Sequence, residues 1–204
     1  MAALDPIFAR RSIGRPQSPA PNPADLDTIL RAGAAAPDHK SLRPWKFVVL
    51  EGDGRDGFGA VLSAAYRRRF AAAGKEVVPA KEDKERTKLG RAPMVVVVCA
   101  VQRNDDSIPF VEQFAAAAAA TQNMLIAATA LGYGSMWRTG DPAYDADVKT
   151  ALGLTAADAV VGFVYLGTPA AAAIKAPNNA DLSDLVVHWT ATPVLRPRWT
   201  PVVW

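Results

Sequence analysis

The 204-residue chain has one cysteine and two histidines, and this scarcity removes several chemistries at the outset. A single Cys99 cannot close an internal disulfide, and its position in the apolar run from Met94 to Val101 marks it as a buried, inert thiol. His39 and His188 lie far apart, with no cysteine or second histidine at ligand spacing, so no metal centre is expected. Charge of one sign is also lacking. The 23 Lys and Arg are nearly balanced by 20 Asp and Glu, which is far from the basic excess of a dedicated nucleic-acid module. No apolar run is unbroken over the length of a membrane span. The strongest candidate, Phe114 to Leu131, is interrupted by Thr121, Gln122, Asn123 and Thr129 and reads as a buried helix. The N-terminus has no cationic segment followed by an apolar signal core, which predicts a cytoplasmic protein. Internal repeats and low-complexity linkers are missing too, so residues 1–204 are expected to form one domain.

What the chain does have is apolar residues, at 50% enough for one substantial core, in helical stretches that alternate with short β-rich runs. Asn22 and Pro23 form an N-cap and first-turn signal for a helix through about Ala34, which Ala36 and Pro37 end. Trp45 to Leu50, Met94 to Val101 and Val160 to Leu166 are rich in β-branched and aromatic residues and read as strands. The second and third are nearly continuous apolar runs, which implies a sheet covered on both faces. Arg55 to Ala73 reads as a helix. The charged stretch Lys75 to Arg91 fits either a solvated helix face or a cover over a ligand cleft. Val111 to Leu131 reads as the central helix. Its small residues Ala115 to Ala120 permit a close approach to a core neighbour or to a second copy of the chain, and Gly132 is placed to stop it. Gly132 and Gly134 follow a helix instead of joining a strand to one, so no dinucleotide fingerprint is present. The tail over 186–204 carries Trp189, Trp199 and Trp204 among Pro193, Pro197 and Pro201. That composition predicts an extended path along a surface.

Three segments concentrate groups that can carry chemistry. Arg10, Arg11 and Ser12 offer two planar cations and a hydroxyl suited to a phosphate monoester, although taken alone such a triplet is more often a plain surface feature. The second segment, from Ala36 to Trp45, sets His39, Lys40, Ser41 and Arg43 in a loop directly after a helix. The third, Trp137, Arg138, Thr139 and Gly140, follows the central helix and a short strand beginning at Gly134.

In order and spacing these three segments resemble the flavin-dependent nitroreductases, in their compact YdjA-like branch, over Arg10 to about Thr168. The resemblance implies a three-layer α+β fold with a mixed, mostly antiparallel sheet between helices. It also implies a homodimer that shares the central helix as interface, with the tail over 186–204 packing on the partner subunit. It implies bound FMN, with NADPH or NADH as reductant and a nitroaromatic, quinone or similar planar acceptor in alternation. By resemblance Arg10, Arg11 and Ser12 grip the phosphate and ribityl chain, and His39 is a flavin contact without a proton-donor role. Ser41, with Lys40 and Arg43, adds hydrogen bonds or positive potential around the ring. Trp137, Arg138 and Thr139 lie against the isoalloxazine, and Lys175 approaches the phosphate where the chain returns after Gly167 and Thr168. One departure stands out: relatives carry a cation where this chain has Ala35, so Arg15 or Arg43 would have to stand in. No protein nucleophile is implied, because the flavin carries the hydride. Other reactions hosted by the same fold, namely dehalogenation, enone reduction and flavin breakdown, and a non-catalytic flavin-storage role remain alternatives on sequence grounds.

Overall fold

The computed structural model describes residues 4–105, 107–170, 181–183 and 185–189. Lys175 and the tail beyond residue 189, to which the sequence assigns roles, lie outside these residues.

The architecture follows from one seven-residue strand. The run from Met94 to Ala100 contains no polar side chain except the Cys99 thiol, and each of its residues is at most 2% exposed. Such a strand needs apolar cover on both faces, and each buried Val adds roughly 1.5 to 3 kcal/mol when it finds it. Val95, Val97 and Cys99 enter one core with Leu62, Leu89, Phe163 and Tyr165. Met94, Val96, Val98 and Ala100 enter a second core with Ile29, Ala117, Met124 and Leu125.

In chain order the elements are α1 (Asp5–Ala9), α2 (Pro23–Ala34), β1 (Trp45–Glu51), α3 (Gly52–Ala72), α4 (Pro79–Thr87), β2 (Met94–Ala100), α5 (Phe110–Ala130), β3 (Gly134–Arg138), α6 (Asp141–Tyr144), α7 (Ala146–Ala151) and β4 (Ala159–Gly167). The sheet runs β1-β2-β4-β3, and each of these pairings is antiparallel. A parallel bridge from Ser12 to Ser135 and an antiparallel one from Gln17 to Thr168 lay the N-terminal segment along the sheet beside β3. The expected α+β class, with helices on both faces of a mostly antiparallel sheet, is therefore the observed one. Helices α2 and α5 cover one face, and α3, α6 and α7 cover the other.

Local chemistry accounts for the helix ends. Asn22 caps α2 by accepting from the Asp25 N–H at 2.9 Å, and Pro23 occupies the first helical turn. After α5, Gly132 adopts φ +85° and donates to Thr129 O at 3.0 Å, closing the helix as expected. Helix α3 begins at Gly52, three residues before the expected Arg55. Gly52 adopts φ +48°, which lets β1 turn into a helix with no intervening loop. The charged stretch resolves into α4 and a 3₁₀ turn over Lys88–Arg91 whose Leu89 is buried. Helices α1, α6 and α7 are too short for a periodic signal and were not anticipated from sequence. Burial pushes the Cys99 thiol up to about 12, as an inert core cysteine requires.

Helix α4 sits close on α3 because Gly59 has no side chain: a Cβ there would lie 2.1 Å from the Arg86 carbonyl oxygen. Gly57, in the same helix, faces open space. Gly59→Ala is therefore expected to destabilise the protein by about 1 to 3 kcal/mol through overpacking. Gly57→Ala should stabilise it by about 0.5 to 1 kcal/mol. Urea unfolding of the two variants checks the opposite signs.

Candidate functional site

The N-terminal segment and β3 assemble the first part of the site. Ile13 N–H donates to Ser135 O at 2.9 Å, so Arg10 lies two residues ahead of the Ser12 bridge and Arg138 three residues beyond Ser135. The two segments thus share one edge, but because the bridge is parallel Arg10 and Arg138 lie on opposite sides of it, five residue positions or roughly 16 Å apart along the strand direction. Arg11 turns back on its own segment, donating to Phe8 O at 2.8 Å and to Arg10 O at 2.5 Å. The Arg10 guanidinium makes no hydrogen bond or ion pair among the described residues, and Ser12 is exposed beside it.

The three residues after Met136 are held in different ways. Trp137 Nε1 donates to Val161 O at 3.1 Å, and the indole lies where a Cβ on Gly162 would be, so the ring is committed to packing. Arg138 stands 5.5 Å over the Tyr165 ring and reaches Gly14 O at 3.4 Å. Its Nε–H is buried without an acceptor, as is the Ser135 hydroxyl. Native proteins rarely bury donors unpaired, and each such group is worth about 1 to 3 kcal/mol to whatever satisfies it. Thr139 is exposed at the rim.

These residues border a cleft of about 550 Å³ between the sheet and α4. Leu62, Leu89, Met136 and Phe163 give it apolar walls, while Lys84, Lys88 and Arg91 give one side positive charge. Lys88 is tied to Glu85 at 2.6 Å. Tyr165 forms part of the wall, and burial raises its phenol above the ordinary range despite nearby Arg138. Sequence reading missed Tyr165 and the α4 cations as site residues. The available signal was the i, i+2 spacing of Phe163 and Tyr165, which puts both on one face of β4. The charged stretch is thus both a solvated helix and one wall of a cleft.

His39 and Ser41 are elsewhere. Their loop sits at the N-terminal end of α5, where His39 Nδ1 lies 3.0 Å from Glu112 Oε2. Arg11 and Ile13 share a hollow with Thr129 and Gly132 at the opposite end of that helix. At 1.5 Å per residue the 21 residues of α5 separate the two groups by roughly 30 Å within one chain. The loop is nevertheless built. Lys40, Ser41 and Arg43 adopt φ of 55°, 54° and 48°, a left-handed conformation unfavourable for residues with side chains. Its fastenings include Arg43 N–H donating to Asp38 Oδ2 at 2.5 Å and Lys40 Nζ donating to Ser107 Oγ at 2.7 Å. Lys40 is thereby committed to the loop's own support. Trp45 packs against the α2/α5 core, as expected of a strand anchor. Of the two cations considered as substitutes near Ala35, Arg43 shares a shallow hollow with it, whereas Arg15 lies beside α4.

The pattern of the nitroreductase family matches residues 7–168. The chain belongs to the nitroreductase family. Escherichia coli (strain K12) YdjA, named for NAD(P)H nitroreductase activity, is 40% identical over 189 residues, covering 93% of this chain and all of the relative. A nitroreductase-like family protein from Bacillus cereus shares the fold at TM-score 0.74 and 22% identity, covering 92% of this chain and 96% of the other. A Desulfovibrio desulfuricans structure, described as a nitroreductase in complex with FMN, superposes at TM-score 0.68 with 26% identity, over 93% and 98% of the two chains. Membership of the nitroreductase family agrees with the resemblance read from the three segments. No described helix is long and apolar enough to cross a membrane, and no described cluster of His, Cys, Asp or Glu is arranged to hold a metal.

Beyond Gly140 the cleft is bordered by Asp141 and Pro142 at the start of α6, and Asp145 caps the α7 that follows. Its Oδ1 accepts from the N–H groups of Asp147 (2.9 Å) and Val148 (3.2 Å), and its Oδ2 pairs with Arg69. Burial alone would raise this carboxyl, but the Arg69 contact and the two backbone donors together hold it below its usual range. A carboxyl depressed in the folded state stabilises above its unfolded value and loses that contribution as pH falls through the folded one. Asp145→Ala should therefore cost about 2 to 4 kcal/mol at pH 7. The gap to the parent protein should shrink below about pH 4. Thermal unfolding across pH 3 to 7 measures both effects.

Proposed function

We propose that this chain is an FMN-dependent oxidoreductase that draws hydride from NADPH or NADH and passes electrons to nitroaromatic, quinone or similar planar acceptors, as a cytoplasmic homodimer. The observation that carries the reading is a pair of donors without acceptors among the described residues: the Arg10 guanidinium ahead of the Ser12 bridge and the buried Arg138 Nε–H at the cleft. They suit a ligand with a phosphate at one end and a polar-edged ring at the other. Bound FMN supplies reversible hydride acceptance, a reaction this chain's side chains do not perform.

The chain's own part is binding and exclusion. Arg10 offers a phosphate charge-assisted hydrogen bonds, with Ser12 beside it and Arg11 adding positive potential. Arg138 and the backbone of Trp137 to Gly140 can donate to a ring's polar edge, and positive charge there favours an anionic reduced ring. Leu62, Met136 and Phe163 keep water from the apolar part of the cleft. The cleft volume falls within the range of ordinary small-molecule sites.

A second copy completes the arrangement. His39 and Ser41 stand at one end of α5 and Arg10 to Ser12 at the other, so antiparallel pairing of two α5 helices about a two-fold axis would bring one chain's loop to its partner's phosphate segment. Exposed Phe8 (65%) and Val111 (70%), near opposite ends of α5, offer apolar surface for that contact.

Pure protein should be yellow and release FMN on denaturation. Anaerobic NADPH or NADH should bleach it, and a nitroaromatic should restore the colour; colourless protein that cannot be reconstituted with FMN refutes the reading. Arg10→Ala should weaken FMN retention by about 1.5 to 3 kcal/mol, or roughly ten- to hundredfold, through loss of a charge-assisted contact. Arg68→Ala, which removes an exposed pair between α3 and Asp147 of α7, should retain FMN like the parent. Equal retention in the two variants, read by fluorescence of released flavin, removes Arg10 from the site.

A further inference from the structure

Beside the cleft lies a second, larger hollow. It has a volume of about 1030 Å³ and is walled by the N-terminal segment around Arg15, by α4 and by the turn after it. The two spaces adjoin, with Lys84, Lys88 and Arg91 bordering both. Arg15, Arg55, Lys84, Lys88 and Arg91 face the hollow, and the sole acid among its wall residues is Asp83, itself paired with Arg86 at 3.0 Å. Two of the five cations have structural partners: Arg55 donates to Ala92 O at 2.9 Å, and Lys88 is held by Glu85. Arg15, Lys84 and Arg91 make no hydrogen bond or ion pair among the described residues.

Cations brought together from three separate segments repel one another, and surface lysines and arginines usually find a carboxylate nearby. Here the acids of α4 are engaged already: Glu82 by Arg67, Asp83 by Arg86 and Glu85 by Lys88. The remaining charge faces a space contiguous with, but outside, the one walled by Trp137 to Gly140. A groove of this size and sign fits a polyanion longer than the ligand of the cleft.

Resting on the oxidoreductase reading above, we infer that this groove binds the phosphorylated adenosine end of the pyridine nucleotide, and that its three unpaired cations make NADPH the preferred reductant over NADH. The additional 2′-phosphate brings about two more negative charges to a site that holds no free acid among its described wall residues. A nicotinamide in the cleft then leaves its charged tail along α4. The groove is open to solvent, so the preference weakens as salt rises.

The test separates groove from flavin. Calorimetry with adenosine 2′,5′-bisphosphate, 5′-AMP and inorganic phosphate reads the groove without any redox step. The bisphosphate should bind about tenfold more tightly than 5′-AMP, the difference expected of one charge-assisted contact. Arg15→Glu and Lys84→Glu should each weaken the bisphosphate by at least that factor while inorganic phosphate binds feebly throughout. In stopped flow, Arg15→Glu should raise the apparent Kd for NADPH by a similar factor and leave reduction by reduced nicotinamide riboside, which has no phosphate, unchanged. Bisphosphate affinity indifferent to both reversals, or a parent protein that prefers NADH, overturns the groove. Yellow protein reduced by the riboside but insensitive to the reversals refutes the groove alone. Protein that binds the bisphosphate in the groove yet takes up no flavin supports the groove and refutes the flavin reading.

Discussion

Burial of β2 on both faces is the constraint from which the rest of the molecule follows. Seven consecutive residues without a charge or hydrogen-bonding side chain, Cys99 apart, cannot meet water on either side, so the helices divide into two layers. That division gives the sheet two different outer surroundings. On the α3 side, the bulk of α4 leaves room over β3 and β4, and the cleft forms there. On the α2 side, Gly33 sets the approach: a Cβ would fall 2.7 Å from Met124 Cγ, and no such space exists. One face is closed by close packing and the other left open for chemistry.

The same pattern of small residues positions the cleft's edge. Gly162 gives up its side-chain volume to the Trp137 indole, which aims the following backbone, Arg138 to Gly140, toward the cleft rim. Arg138 is then caught between the Tyr165 ring and Gly14 with one nitrogen left unanswered. Removing water from an arginine while denying it a full set of acceptors is unfavourable for the isolated chain. Such unfavourable residue placements recur where a ligand completes the set.

Much of this was legible in the residues themselves. The run of valines and the flanking apolar strands announced a doubly covered sheet, and Asn22–Pro23 and Gly132 marked helix ends to within a residue. Membership of the nitroreductase family was carried by three short segments whose chemistry makes sense together and not singly. Other features are invisible to local pattern. Helices α1, α6 and α7 are too short to show a period, and the Gly52 turn moved the start of α3 because a left-handed glycine replaces a loop. Tyr165 looked like one more core residue, since nothing in a strand's sequence says which side chains end at a cavity wall. Arg15 was considered for the flavin and stands beside α4, while Arg43 neighbours Ala35. Tertiary path decided between them, and no spacing argument reaches that far.

The solitary cysteine carries a last consequence. Reduced electron carriers that meet dioxygen shed peroxide, and the protein group most readily damaged by peroxide is an accessible thiolate. Here the one sulfhydryl in 204 residues is sealed within β2, with its ionisation pushed up to about 12. Peroxide formed in such a cleft would find no thiolate to oxidise, and the Met136 thioether at the wall would be the sulfur within its reach. The packing that holds the sheet together thereby also keeps its thiol out of reach of such an oxidant.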